Sequence, residues 1–249
     1  MSLLSIIILF VANFCAGIMN TIAGGGSFLT FPSLLFSGLD PRAANITSTL
    51  ALFPMQVSSG YAGRQMAGGT AQLSFKLLCI ISLIGGIIGA LLLLMTPPAF
   101  FARMVPWLIM FATAIFAYGS FIKKPGQLAA EYSVGKKGSM LAQFAISIYG
   151  GYFGGGIGFL MLAALTLAGM NIRKAGATKN ILAGVMNASA VFIFLFSHNI
   201  GWIQVGIGAV ASIIGGLLGV RMLHVVNERI LRIVVVVIGS ALTIFMFIY

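Results

Sequence analysis

The sequence predicts an all-α integral membrane protein built from two copies of one unit, and three observations carry that prediction. The chain of 249 residues is 60% hydrophobic and only 7% charged, whereas soluble domains carry about a quarter charged residues to face water. Apolar runs of about 20 residues recur along its length, which means helices; a barrel would alternate in short strands. And AGGGSFLTFPSLLFSGLDPRAANITSTLALFPMQVSS, from Ala23 to Ser59, returns in degenerate form 131 residues later, from Gly154 to Ala190. At that offset Gly24 meets Gly155, Gly25 meets Gly156, Phe28 meets Phe159, Gly38 meets Gly169, Arg42 meets Arg173 and Thr47 meets Thr178, without a gap. Both turns and both polar helix starts repeat, so the pattern is an internal duplication.

The elements follow in order. The first copy, residues 1–122, has apolar segments at about 2–20, 24–38, 44–63, 71–95 and 102–122. Residues 123–138, KKPGQLAAEYSVGKKG, form the one long polar linker. The second copy, residues 139–249, repeats the order at about 139–153, 155–169, 175–196, 201–223 and 229–249. Ser82-Leu-Ile-Gly-Gly-Ile-Ile-Gly89 matches Ser212-Ile-Ile-Gly-Gly-Leu-Leu-Gly219, so the duplication covers nearly the whole chain. The opening SLLSIIILFVANFCAG lacks a basic n-region, and its counterpart is internal, so it reads as part of the mature protein rather than a signal peptide.

Residues 2–38 are too long for one crossing and short for two. If they cross once, the copies are parallel and the fourteen Lys and Arg divide eight against six. If they return to their starting side, as a helix pair or a re-entrant hairpin, the copies are inverted. Only Arg42 and Arg103 then lie on one side, leaving twelve of the fourteen on the other. Membrane insertion favours the second arrangement. The expectation is two inverted repeats in the cell inner membrane, with both termini outside and the linker in the cytoplasm.

The formal charge of +11 would point to nucleic acid in a soluble protein. Here the basic residues sit between apolar segments, so no nucleic-acid partner is expected; the partners are the bilayer and a small anion. Cys15 and Cys79 lie inside apolar runs and read as buried small residues. His198 and His224 have no metal-ligand spacing, and Asp40, Glu131 and Glu228 all fall in turns or the linker. No metal, cofactor or enzymatic acid–base cluster is predicted. With no intramembrane carboxylate, coupling would rest on the substrate's own protonation or gradient.

Two motifs carry the chemistry. Glycine triplets break a membrane helix, which is tolerated only where protein or a wet cavity satisfies the backbone. A short helix starting after Gly24, Gly25 and Gly26 would aim its N–H groups and positive dipole end at mid-membrane, with Ser27 adding a hydroxyl. The second break, at Gly154, Gly155 and Gly156, would face it across one cavity. Close helix packing is the competing reading for both. The GGGIG run lacks a βαβ context, so a dinucleotide site is rejected. The second motif is a polar stripe of Asn45, Ser48, Thr49, Gln56 and Ser59 along one helix face. Its counterparts are Lys179 opposite Ser48, Asn180 opposite Thr49 and Asn187 opposite Gln56. Uncharged donors suit a dehydrated oxyanion, and Lys179, following Thr178, supplies attraction; the plainer readings are a snorkelling cation and interhelical hydrogen bonds. The pairs Gly85-xxx-Gly89 and Gly215-xxx-Gly219 serve helix packing, inside one chain or in a homodimer.

At GGGSFLTFP…ANITST, and again at GGG…GATKN…Asn187, the chain resembles the TauE/SafE sulfite exporter family, also called the toluene-sulfonate uptake permeases, over essentially its whole length. The resemblance implies a membrane transporter, an exporter by the family's name, of small sulfur-containing anions such as sulfite, sulfonates or sulfoacetate. It implies a first half-site at Gly24 to Ser27, Asn45, Thr47 and Ser48, and a second at Thr178, Lys179, Asn180 and Asn187. Gly26 and Ser27 are replaced by Ile157 and Gly158 in the second copy, so the half-sites are not exact mirrors. Alternating access is the expected mechanism, and an anion-selective channel is the alternative.

Overall fold

Ten helices and no strand make up the described part of the chain, which in this computed structural model comprises residues 1–22, 25–118, 121, 135–222 and 228–248. They are α1 (Leu3–Ile22), α2 (Ser27–Phe36), α3 (Pro41–Gly63), α4 (Phe75–Met95), α5 (Pro98–Ala117), α6 (Lys136–Tyr152), α7 (Ile157–Leu167), α8 (Ile172–Phe194), α9 (Trp202–Met222) and α10 (Glu228–Ile248). Each answers to one apolar segment of the sequence. Five are long and apolar enough to cross a membrane, namely α1, α4, α5, α8 and α9. The 23 residues of α3 are as long as α8, but their polar stripe keeps composition alone from marking them.

Caps explain where the helices begin. Asp40 accepts hydrogen bonds from the backbone of Arg42 and Ala43, and Pro41 fits the first helical turn, so α3 starts three residues before the predicted boundary. Asn171, the residue equivalent to Asp40, does the same for α8 through Lys174. Ser74 caps α4. The short helices end alike: Gly38 and Gly169 take φ of +94° and +87°, and the N–H groups of Leu39 and Met170 reach back to the carbonyls of Leu34 and Leu165. These are matching glycine-terminated caps at matching positions. Helix α6 starts at Lys136, inside the predicted linker; residues 123–134 of that linker lie outside the described residues.

Helices α2 and α7, of 10 and 11 residues, span only about 15–17 Å, half of a ~30 Å hydrocarbon core. The end of α7 and the start of α6 line one cavity, so these two helices run antiparallel as a hairpin.

Packing exchanges partners between the copies. Helix α1 lies along α9, and α6 lies along α4. Both pairs run parallel, as Ser82 meets Gln143 and Gly89 meets Tyr152, while Gly208 meets Asn13 and Gly219 meets Ile18. A Cβ on Gly89 would sit 2.7 Å from the Tyr152 nitrogen, and one on Gly219 3.0 Å from the Ile18 Cα. The small-residue pairs therefore seat neighbouring helices of one chain. Equivalent helices run antiparallel to each other. In α3 and α8, Gly63 lies by Ala177, Gly60 by Ile181 and Gln56 by Asn187. In α5 and α10, the Trp107 ring meets Phe247 at 5.0 Å and Gly239 lies against Thr113.

The ends differ in charge. Arg42 donates to the Thr96 carbonyl at 3.0 Å, which puts the start of α3 beside the end of α4, and Arg103 follows in the next helix. At the opposite end Lys174 lies against Gly68. Arg64, Lys76, Lys136, Lys137, Arg173 and Lys174 gather there. Cys15 departs from the buried expectation. It is exposed, because that side of α1 carries the apolar surface that meets lipid, along with Val11 and Phe10.

Candidate functional site

The Phe28 ring of α2, two residues beyond the first break, lies over the second break at Gly156. Gly25 takes φ of +90°, and its equivalent Gly156 takes +74°, a conformation open to glycine at little cost. Gly26 then caps α2, and Gly156 caps α7; neither helix has a side-chain N-cap. Gly24 lies outside the described residues. The approach itself is close. A Cβ on Gly156 would fall 3.1 Å from that of Ala112 and 3.6 Å from the Phe28 ring. Phe31 and Phe153, one beside each break, pack edge to face at 5.9 Å.

The second break presents bare backbone. The N–H groups of Ile157, Phe159 and Leu160 turn back to the carbonyls of Gly154 and Gly156. Those of Gly155, Gly156 and Gly158, all buried, have no acceptor among the described residues. The Tyr149 hydroxyl donates to the Gly155 carbonyl at 3.0 Å and braces the turn. Such amides with the helix dipole behind them form an anion-accepting surface.

The polar stripe does not converge on one point. Asn45 donates through Nδ2 to the Tyr152 carbonyl at 3.0 Å, tying α3 to the approach of the second break. The Ser48 hydroxyl pairs with that of Thr30 on α2. Thr49 donates to the Asn45 carbonyl, and Ser59 to that of Gln56. Thr47 accepts from the Gly201 N–H at 3.1 Å, whereas Thr178 exchanges two hydrogen bonds with Gly68. These two threonines thus sit at opposite ends of the molecule. Asn180 is half-buried, its carbonyl against Gly60, and Ser27 opens α2 half-buried.

At the crossing of α3 and α8, Asn187 donates through Nδ2 to Gln56 Oε1 at 2.6 Å. These are equivalent residues of the two copies, joined to each other. Asn187 is only 4% exposed, and its Oδ1 has no partner among the described residues. An amide turned end for end would present an N–H in its place, so either orientation leaves one polar atom of Asn187 open at the centre.

Lys179 is the singular charge. Its side chain is 4% exposed, two turns along α8 from Asn187. The four helices packed most closely on α8 are α3, α4, α6 and α7, and none contains an aspartate or glutamate. Asp40, at the far end of α3, spends its carboxylate on its own helix cap. In the first copy the Thr30–Ser48 pair is self-satisfied; Met161 and Lys179 hold the equivalent places in the second. An ammonium in so apolar a setting calls for an anion.

A cavity of about 90 Å³ opens at the basic end. Thr70 and Leu73 of the segment before α4, Ser139 and Gln143 of α6, and Leu165 and Leu167 of α7 line it. Gln143 is held by Ser82 at 2.8 Å. Sequence reasoning missed this cavity, and it missed the rings between the breaks. The register of Phe28 with Phe159 was visible as a mark of duplication; nothing in it said that Phe28 would cover Gly156. No group of three metal-ligating side chains occurs among the described residues.

The profile of the family described as Sulfite exporter TauE/SafE matches residues 9–246. A probable membrane transporter protein of Haemophilus influenzae is 32% identical over 241 residues, covering 95% of this chain and 92% of that protein. The probable membrane transporter protein ORF9 of a Sinorhizobium species is 31% identical, over 95% of this chain and 90% of its own length. The probable membrane transporter protein YfcA of Escherichia coli K12 is 26% identical, at 95% and 87% coverage. No solved structure matches the chain.

Proposed function

Because the chain belongs to the Sulfite exporter TauE/SafE family of membrane transporters, we propose that it carries a small sulfur-containing anion, sulfite or an organosulfonate, across the cell membrane by alternating access between two inverted repeats. The observation that carries this reading is the Lys179 ammonium, buried with no carboxylate on any closely packed helix. A charge left unpaired in that setting is costly, and a substrate anion supplies the missing partner. The bare amides of Gly155, Gly156 and Gly158 and the open amide of Asn187 supply neutral donors for the remaining oxygens. On this reading Gln56 orients Asn187, and Asn45 holds the second break in place.

Three features support the inverted arrangement. Equivalent helices run antiparallel in the α3–α8 and α5–α10 pairs. Helix packing exchanges between the copies. The basic residues gather at one end, which the insertion bias makes the cytoplasmic one, with both termini outside.

The test is thermal unfolding of the detergent-purified protein with sulfite, thiosulfate, taurine, sulfoacetate, p-toluenesulfonate and sulfate. A ligand at a hundred times its Kd stabilises the folded state by about 2.7 kcal/mol. Stabilisation by one or more of the reduced-sulfur or sulfonate anions, lost in Lys179→Gln, is expected. Equal response to all anions, or none to any, overturns the reading.

A further inference from the structure

Two threonines at equivalent positions make equivalent bonds at opposite ends of the molecule. Thr178 Oγ1 accepts from the Gly68 N–H at 3.0 Å and donates to the Gly68 carbonyl at 3.2 Å. Thr47 Oγ1 accepts from the Gly201 N–H at 3.1 Å. Both side chains are fully buried. In each case a helix of one copy grips the segment that leads into a helix of the other copy: α8 grips the approach to α4, and α3 the approach to α9. We propose that these are the two latches of the transport cycle, Thr178 closing the basic end and Thr47 the opposite end.

Three further observations carry the assignment. The gripped segment at the basic end is itself stiff. Thr70 Oγ1 accepts from the N–H groups of Gln72 and Leu73, and the Thr70 N–H donates to the Leu73 carbonyl at 2.9 Å. A Cβ on Gly69 would fall 2.8 Å from the Phe75 nitrogen. The segment therefore moves as a unit rather than by fraying. That same segment supplies Thr70 and Leu73 to the wall of the 90 Å³ cavity, so its release opens the cavity at the basic end. And each latch adjoins a position in the polar stripe: Lys179 follows Thr178, and Ser48 follows Thr47. An anion drawn to Lys179 pulls on a helix turn whose neighbour holds the latch. Alternation then requires that one threonine lets go while its equivalent holds.

The inference rests on the alternating-access reading above, but its test needs no substrate. Cys15 and Cys79 are first replaced by Ala. Single reporters Ser139→Cys, lining the cavity at the basic end, and Leu39→Cys, beside Gly201, are then labelled in sided vesicles with a membrane-impermeant maleimide. Thr178→Val keeps the shape and loses the hydroxyl; it should raise labelling at residue 139 about fivefold, the ratio set by roughly one hydrogen bond, and lower it at residue 39. Thr47→Val should do the reverse. Thr178→Ser and Thr47→Ser, which keep the hydroxyl, should label as the parent does. Shifts of the same sign in both valine variants, or none in either, overturn the latch assignment. Failure of every anion to stabilise the parent protein would instead overturn the substrate reading and leave the opposed shifts to stand.

Discussion

The two copies of the repeat share a backbone plan and divide in chemistry at one level. In the first, Thr30 and Ser48 satisfy each other between α2 and α3. In the second, Met161 and Lys179 hold those places, and a thioether offers an ammonium only a weak, uncharged acceptor. The duplicated frame is the same: Asp40 and Asn171 cap, Gly38 and Gly169 terminate, Thr47 and Thr178 grip. A neutral, self-satisfied pair set against a lone buried cation teaches that the duplicated chain kept the parts that shape the molecule and varied the polar ones inside it. On the proposed reading, a symmetrical site would offer an anion two equal beds, and this one offers a single charge.

The largest expected effect tests that division directly. Lys179→Gln should weaken sulfite binding by at least about a hundredfold, as removal of a buried charge partner costs about 3–5 kcal/mol, whereas Ser48→Ala should change it by less than about threefold. Titration calorimetry reads both, and equal losses would erase the asymmetry. Next come the breaks. Gly156→Ala forces a side chain into φ of +74° against Ala112 and should destabilise by about 2 kcal/mol in thermal unfolding. Gly176→Ala, where a Cβ meets nothing within 4 Å, should be neutral or slightly stabilising. At the crossing, a double-mutant cycle of Gln56→Leu with Asn187→Leu should return a coupling of about 1 kcal/mol; a zero coupling would remove the link between equivalent residues. Effects of the same size as that coupling are expected at the caps. Asp40→Ala and Asn171→Ala should each cost about 1 kcal/mol, and by similar amounts if the frame is truly shared.

The frame was legible because apolar length, glycine turns and caps are local signals. All ten segments appear as helices, and α3, α4 and α8 start three or four residues from the expected boundary, where Asp40, Ser74 and Asn171 cap the chain. The site was legible only in part. Lys179 and Asn187 stand out by type in an apolar sequence, and both are buried. The partners of the other polar residues were not readable. A threonine that grips a glycine on another helix and a threonine that lines a cavity have the same sequence signature; only the fold says that Thr47 faces Gly201. Nor does spacing tell that Phe28 would close over Gly156, since that contact joins chain positions more than a hundred residues apart.

The parallel seams between α1 and α9, and between α4 and α6, have a consequence for how the molecule is made. Helix α1 finds its main neighbour, α9, only after the seven helices between them have left the ribosome. Until then α1 must rest in lipid with Gly17 and Asn13 uncovered, sites that Ser212 and Gly208 later occupy. Neither half expressed alone should reach a compact state, and two separately encoded halves should recover it together.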